Sequence, residues 1–100
     1  MTINSQFGAQ KKMCYVLRLF VAGNAANSRI ARENLERLQA KFPEHEFSID
    51  IIDLNLKPET ALEQGVFISP ALQILEPVSG GVIYGNLSDS RVLEQALNLR

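Results

Sequence analysis

A proline at the head of an apolar run constrains this chain more than any other feature. In Val66-Phe67-Ile68-Ser69-Pro70-Ala71-Leu72-Gln73-Ile74-Leu75, the residues after the proline are apolar except for Gln73. Such a run reads as a strand covered on both faces. Proline brings no N–H to a sheet ladder, so Pro70 belongs at the first residue of that strand or on an edge. Two readings of the Ser69-Pro70 step stand on pattern alone. It is a cis peptide entering the strand, or it is a loop proline ahead of an ordinary one. A helical pattern lies before this stretch and a hairpin pattern after it.

One hundred residues, 46% hydrophobic and 21% charged, make one small domain with a single core. A net charge of −1 argues against sequence-independent nucleic-acid binding, which needs a basic face to displace counterions. Cys14 is the one cysteine, so no intrachain disulfide can form. It reads as a small buried or edge apolar residue. With His45 the only histidine, zinc spacing is missing, and neither a metal nor another cofactor is expected. No apolar run approaches the ~20 residues that span a bilayer. Met1–Phe7 lacks the charged and apolar regions of a secretory signal. The expectation is a cytoplasmic protein with no membrane partner.

Residues 1–12 are polar apart from Ile3 and Phe7 and read as a flexible N-terminal extension, with the folded domain in 13–100. Tyr15–Val21 reads as a central strand, nearly continuous in apolar character. Arg18 interrupts it and needs an outlet or a partner. Ala22–Ser28 is a loop in which Asn27 or Ser28 can cap a helix over Arg29–Lys41. There Ala31, Leu35, Leu38 and Phe42 make one apolar face. The charged residues form a solvated face on which Glu33 and Arg37 can pair. Phe42-Pro43-Glu44-His45 turns the chain, with His45 exposed. Phe47–Asp53 alternates as a second strand, and on it Asp50 and Asp53 point to opposite faces.

Pro58 suits the first turn of a short helix, with Ala61, Leu62 and Val66 on its apolar side and Gly65 ending it. After the Ser69-Pro70 strand, Glu76–Gly81 is a turn and Val82–Tyr84 a short strand closing a hairpin. Leu87, preceding a cap at Ser88, can staple onto Val92. A last helix runs from Asp89, whose carboxylate suits the helix dipole, to Leu99. The order is β-α-β-α-β-β-α. The first two strands should be parallel and adjacent to the third, with right-handed crossovers and helices on both faces of a four-stranded mixed sheet. This is a thioredoxin-like α/β architecture.

Thiol chemistry on that architecture needs a low-pKa cysteine at the start of the first helix. Gly23–Ser28 holds none, and Cys14 lies at the far, entering end of the first strand. Ser28 has no base in reach, and the Gly23-Asn24 loop lacks the glycine pattern and lysine of a phosphate cradle. The residues therefore offer no catalytic constellation. The remaining readings are a binding module and an interaction or sensor module.

Tyr15-Val16-Leu17-Arg18-Leu19-Phe20-Val21-Ala22-Gly23-Asn24, followed by Asn27-Ser28, resembles the opening of the KaiB family of clock proteins. Ile52-Asp53, Lys57-Pro58, Ser69-Pro70-Ala71-Leu72 and Gly85-Asn86-Leu87-Ser88 continue the resemblance to Leu99. It implies a non-enzymatic regulator that binds a KaiC-like ATPase, in circadian timing or in a non-circadian stress response. It also implies a cis Pro70, and contacts at Asn24, Gly65, Ser69, Pro70 and Ala71. The sensor domain of the related clock histidine kinase is similar too, so a histidine kinase is an alternative partner. Homo-oligomers, dimer or tetramer, are a further implication, because some members switch between a tetrameric fold and the thioredoxin-like one. The chain departs from the family pattern with Gly65 at an expected lysine, Gly81 and Val82 at expected basic residues, and Ala26 at an expected proline. Ala96 stands at an expected glycine. Alanine is ~0.8–1 kcal/mol better than glycine inside a helix, which favours the last helix and the thioredoxin-like form.

Overall fold

The computed structural model describes residues 12–65, 68–77 and 81–99. The extension expected at Met1–Lys12 lies outside them save for Lys12, as do Val66 of the expected apolar helix side and Val78–Gly80 of the turn. The elements, in order, are β1 (Cys14–Val21), α1 (Ala26–Lys41), β2 (Glu46–Asp53), α2 (Pro58–Gln64), β3 (Ala71–Glu76), β4 (Gly81–Tyr84) and α3 (Ser90–Ala96). The sheet order is β2-β1-β3-β4. β1 and β2 are parallel, with Leu17 opposite Ile49. β3 runs antiparallel to β1 and β4 antiparallel to β3. The expectation that β3 would neighbour both earlier strands is corrected: of the two it pairs only with β1, and β2 is an edge.

Helix lengths explain the strand directions. α1 has 16 residues and spans roughly 24 Å, close to the ~27 Å of an eight-residue strand. It returns the chain to the end where β1 began, so β2 is parallel. α2 has seven residues and spans only about 10 Å. The chain re-enters the sheet at the end it left, and β3 is antiparallel.

One sheet face carries the main core. Tyr15, Leu17, Leu19 and Val21 of β1 meet Leu72 and Ile74 of β3 beneath Ala31, Leu35 and Leu38 of α1 and Leu93 of α3. The α1 face expected from its 4-3-4 spacing is thus buried, Phe42 included. The opposite face has a smaller cluster, Phe20 and Ala71 with Ile52 and Leu54 packed against them. Arg18 lies on this second face, level with Asp50 on β2 and Gln73 on β3. Its Nε is buried without a hydrogen-bond partner among the described residues, as is Gln73 Oε1.

Helix ends differ from expectation for local reasons. α1 starts at Ala26, so Asn27 and Ser28 lie inside it, and Ala25 occupies the cap position with no side-chain bond. Ser28 is instead 1% exposed, its Oγ accepting from Ala22 N–H at 3.1 Å. On the solvated face Arg37 donates to Asn34 rather than to Glu33, and Lys41 reaches across to Glu94 at 2.6 Å. α3 is capped by Asp89, which accepts from Arg91 and Val92 N–H, not by Ser88. Val92 is exposed, whereas Leu87 is buried. α3 stops at Ala96 because Asn98 adopts φ +61. Leu99 N–H then donates to Glu94 C=O and Asn98 N–H to Gln95 C=O, the paired bonds of a Schellman turn.

Two single residues are also corrected. The His45 side chain is only 9% exposed. Its Nδ1 accepts from Met13 N–H at 3.0 Å, and its ring meets the edge of Tyr15. Cys14 is exposed, with Sγ donating to Glu46 Oε1 at 3.3 Å.

Candidate functional site

The predicted contact residues gather largely at one end of the sheet. β1 and β2 both finish there and β3 begins there, with Phe20 opposite Ala71. Asn24 is exposed in the tight link between β1 and α1. The link is held from behind. Asp53 Oδ1 accepts from Gly23 N–H at 3.0 Å and from Asn55 N–H at 2.9 Å. Gly23 has φ +56, and a Cβ there would stand 3.0 Å from the Asn55 side chain, so only glycine fits this turn without strain.

Ser69 is half-buried, and Pro70 and Ala71 are buried. The Ser69–Pro70 peptide is cis, as is Glu76–Pro77. The cis reading of Pro70 is therefore the one the structure holds. Pro70 C=O accepts from Gly85 N–H at 2.9 Å, so the proline joins the β3 entrance to the exit of β4. Gly65 is exposed and ends α2 with φ +69. Of the five predicted residues, then, Asn24 and Gly65 are open to a partner and Ser69 half open. Pro70 and Ala71 are buried and offer no side-chain surface.

The apolar surface at this end was not read from the sequence. The connection from β2 to β3 is described over residues 54–65 and 68–70. It carries Leu56 at 78% exposure, Leu62 at 73% and Ile68 at 63%. Leu62 had been expected on the buried side of its helix. Exposed aliphatic side chains mark an interaction surface where they form one patch, which makes these three candidates for contact. Asp53 and Asn86 were also missed as organisers. Asn86 donates to Asn27 Oδ1 and accepts at its backbone from Asn34, fastening the start of α1 to the loop before α3. Among the described residues no three His, Cys, Asp or Glu side chains gather as a metal site. The thiol is remote from this end, since Cys14 opens β1.

A KaiB domain model matches residues 18–99. The chain belongs to the KaiB family. It is 36% identical over 83 residues to the circadian clock oscillator protein KaiB of Nostoc punctiforme, covering 82% of this chain and 80% of that protein. It is 32% identical over 88 residues to the protein of the same name from Trichodesmium erythraeum, covering 88% and 85%. The KaiB-family chain also resembles thioredoxin-like structures. The N-terminal domain of Synechococcus elongatus SasA superposes with a TM-score of 0.71 at 23% identity, over 90% of this chain and 88% of that one. Yeast mitochondrial thioredoxin 3 gives 0.65 at 20%, over 84% and 76%. At these identities the likeness speaks for the fold. Both the resemblance to KaiB and the thioredoxin-like fold expected from the sequence hold.

Proposed function

We propose that this KaiB-family protein is a non-enzymatic, cytoplasmic regulator that binds a KaiC-type ATPase, in circadian timing or in a non-circadian stress response. The contact is made by Asn24, Gly65, Ser69 and the exposed Leu56, Leu62 and Ile68, with Pro70 and Ala71 setting the backbone beneath them. The observation that carries this reading is the conjunction of family membership with exposed aliphatic side chains on the connection that leads into the Ser69–Pro70 step. Burying three such side chains supplies the apolar centre of a modest interface. The end of the β1–α1 loop and the start of α1, where a thioredoxin-type enzyme would need its thiolate, hold Asn24, Ala25, Ala26 and Asn27.

The test is to mix the purified protein with the KaiC-type ATPase of the same organism, with and without ATP, and measure complex mass by size exclusion with light scattering. A nucleotide-dependent complex is the expected result. No complex at tens of micromolar overturns the KaiC reading and leaves the alternative of a thioredoxin-fold module for another partner such as a histidine kinase. The mass of the free protein in the same run reads its oligomeric state, dimer or tetramer being the family-based expectation.

A further inference from the structure

At the opposite end of the sheet from the candidate site, where β1 starts and β3 finishes, an apolar cavity of about 350 Å³ opens beside the end of α3. It is lined mainly by Met13, Tyr15, Ile74, Pro77, Ala96 and Leu97. Tyr15, Ile74 and Leu97 are core residues whose outer sides form its floor. A cavity of 150 Å³ with aliphatic walls already takes up benzene, so this one has room for a phenyl ring and more. Its rim includes Met13, the second of the described residues. The chain is pinned there: Met13 N–H donates to His45, and Lys12 pairs with Glu46 at 3.4 Å.

We propose that this cavity is the docking site of the chain's own N-terminal arm, Met1–Lys11, with Phe7 as the inserted side chain. Phe7 lies six residues before Met13, a reach of up to ~20 Å. Gly8, directly after it, lets the arm reverse. Ile3 and Phe7 are the arm's large apolar side chains apart from the terminal methionine. Tethering makes the arm the favoured occupant. A segment joined at the rim meets the cavity at an effective concentration near millimolar, which a second copy or a free peptide reaches only at high concentration. The docked arm forms a strap from the start of β1 to the Schellman turn that ends α3, holding the last helix against the sheet.

Hydrogen exchange on the full chain, compared with a chain starting at Lys12, tests this. The Leu97 and Leu99 amides close the end of α3. Loss of the arm is expected to speed their exchange by local opening about tenfold or more. Leu72 and Phe20, at the far end, stay unchanged relative to global unfolding. Phe7→Ala reproduces the truncation and Phe7→Leu retains most of the protection. NOEs from the Phe7 ring to Ile74 and Leu97 methyl groups appear within one labelled molecule and persist on dilution. Unchanged protection after truncation overturns the proposal. So does protection lost on dilution, or NOEs seen only between labelled and unlabelled copies, which would assign the cavity to a second copy. None of these readouts depends on the KaiC reading.

Discussion

At the residue scale, Asp53 does more than its place in the Ile52-Asp53 resemblance suggested. A single carboxylate oxygen holds two backbone N–H groups on either side of the candidate site. Each charge-assisted bond is worth more than a neutral one, and losing the acceptor strands both donors. Asp53→Ala is expected to lower unfolding free energy by about 1–3 kcal/mol in urea titration. Asp53→Asn keeps an acceptor oxygen and should lose about half as much. Cys14 and Glu46 make a second testable pair. The hydrogen bond to Glu46 pushes the Cys14 thiol up, and that same bond, with Lys12 beside it, holds the Glu46 carboxyl below its ordinary value. A raised thiol favours the fold below the ordinary thiol range and loses that contribution as pH rises through its folded value. A lowered carboxyl favours the fold above the ordinary carboxylate range and loses it as pH falls through its folded value. The pair is therefore most settled between those ranges. Since the thiolate is the nucleophile, Cys14 should alkylate more slowly than a free cysteine at mildly alkaline pH despite its exposure. Glu46→Gln should speed iodoacetamide labelling and move its pH midpoint down; an unchanged midpoint would break the assignment.

Among the elements, α3 shows most clearly what sets a helix's limits. It is seven residues long, too short to persist on propensity alone. Asp89 closes its start and the Schellman turn its end, with Asn98 in the left-handed region. Asparagine tolerates that region better than alanine. Asn98→Ala should cost about 1 kcal/mol, while Asn98→Gly leaves stability within about 0.5 kcal/mol or improves it. Thermal unfolding of the two variants checks the order. These ends also show how far the sequence could be read. All seven elements were legible, because apolar spacing and turn residues mark elements directly. The ends were less so. Ser88 and Asp89 are both good caps, and Asn27 and Ser28 both look like caps. Which side chain accepts depends on tertiary placement: Ser28 is drawn inward to serve Ala22, and α1 starts earlier in its place.

For the whole molecule, Ser69, Pro70 and Asn24 of the candidate site could be named from the sequence because they sit in recognisable motifs, whereas the exposed aliphatic residues could not. Leu62 was misplaced because a seven-residue helix offers too few turns for its apolar side to be told from its outer one. Leu62 belongs to neither apolar cluster of the core, so it can point outward at no cost to either. Leu72 and Leu62 are therefore the same residue type with opposite roles, which a paired substitution separates. Leu72 is fully buried, and Leu72→Ala should cost about 2–5 kcal/mol, a large share of the ~5–15 kcal/mol that holds a domain together. Denaturation should reveal a protein close to unfolding, and any loss of partner binding there would be indirect. Leu62→Ser removes no core contact, so its unfolding midpoint should move by no more than about 0.5 kcal/mol. If the 54–70 excursion is the partner surface, its affinity for the KaiC-type ATPase should nevertheless fall at least about tenfold. Full affinity in a correctly folded Leu62→Ser protein would place the contact elsewhere on the molecule, and Leu56→Ser and Ile68→Ser would show whether any part of the excursion takes part.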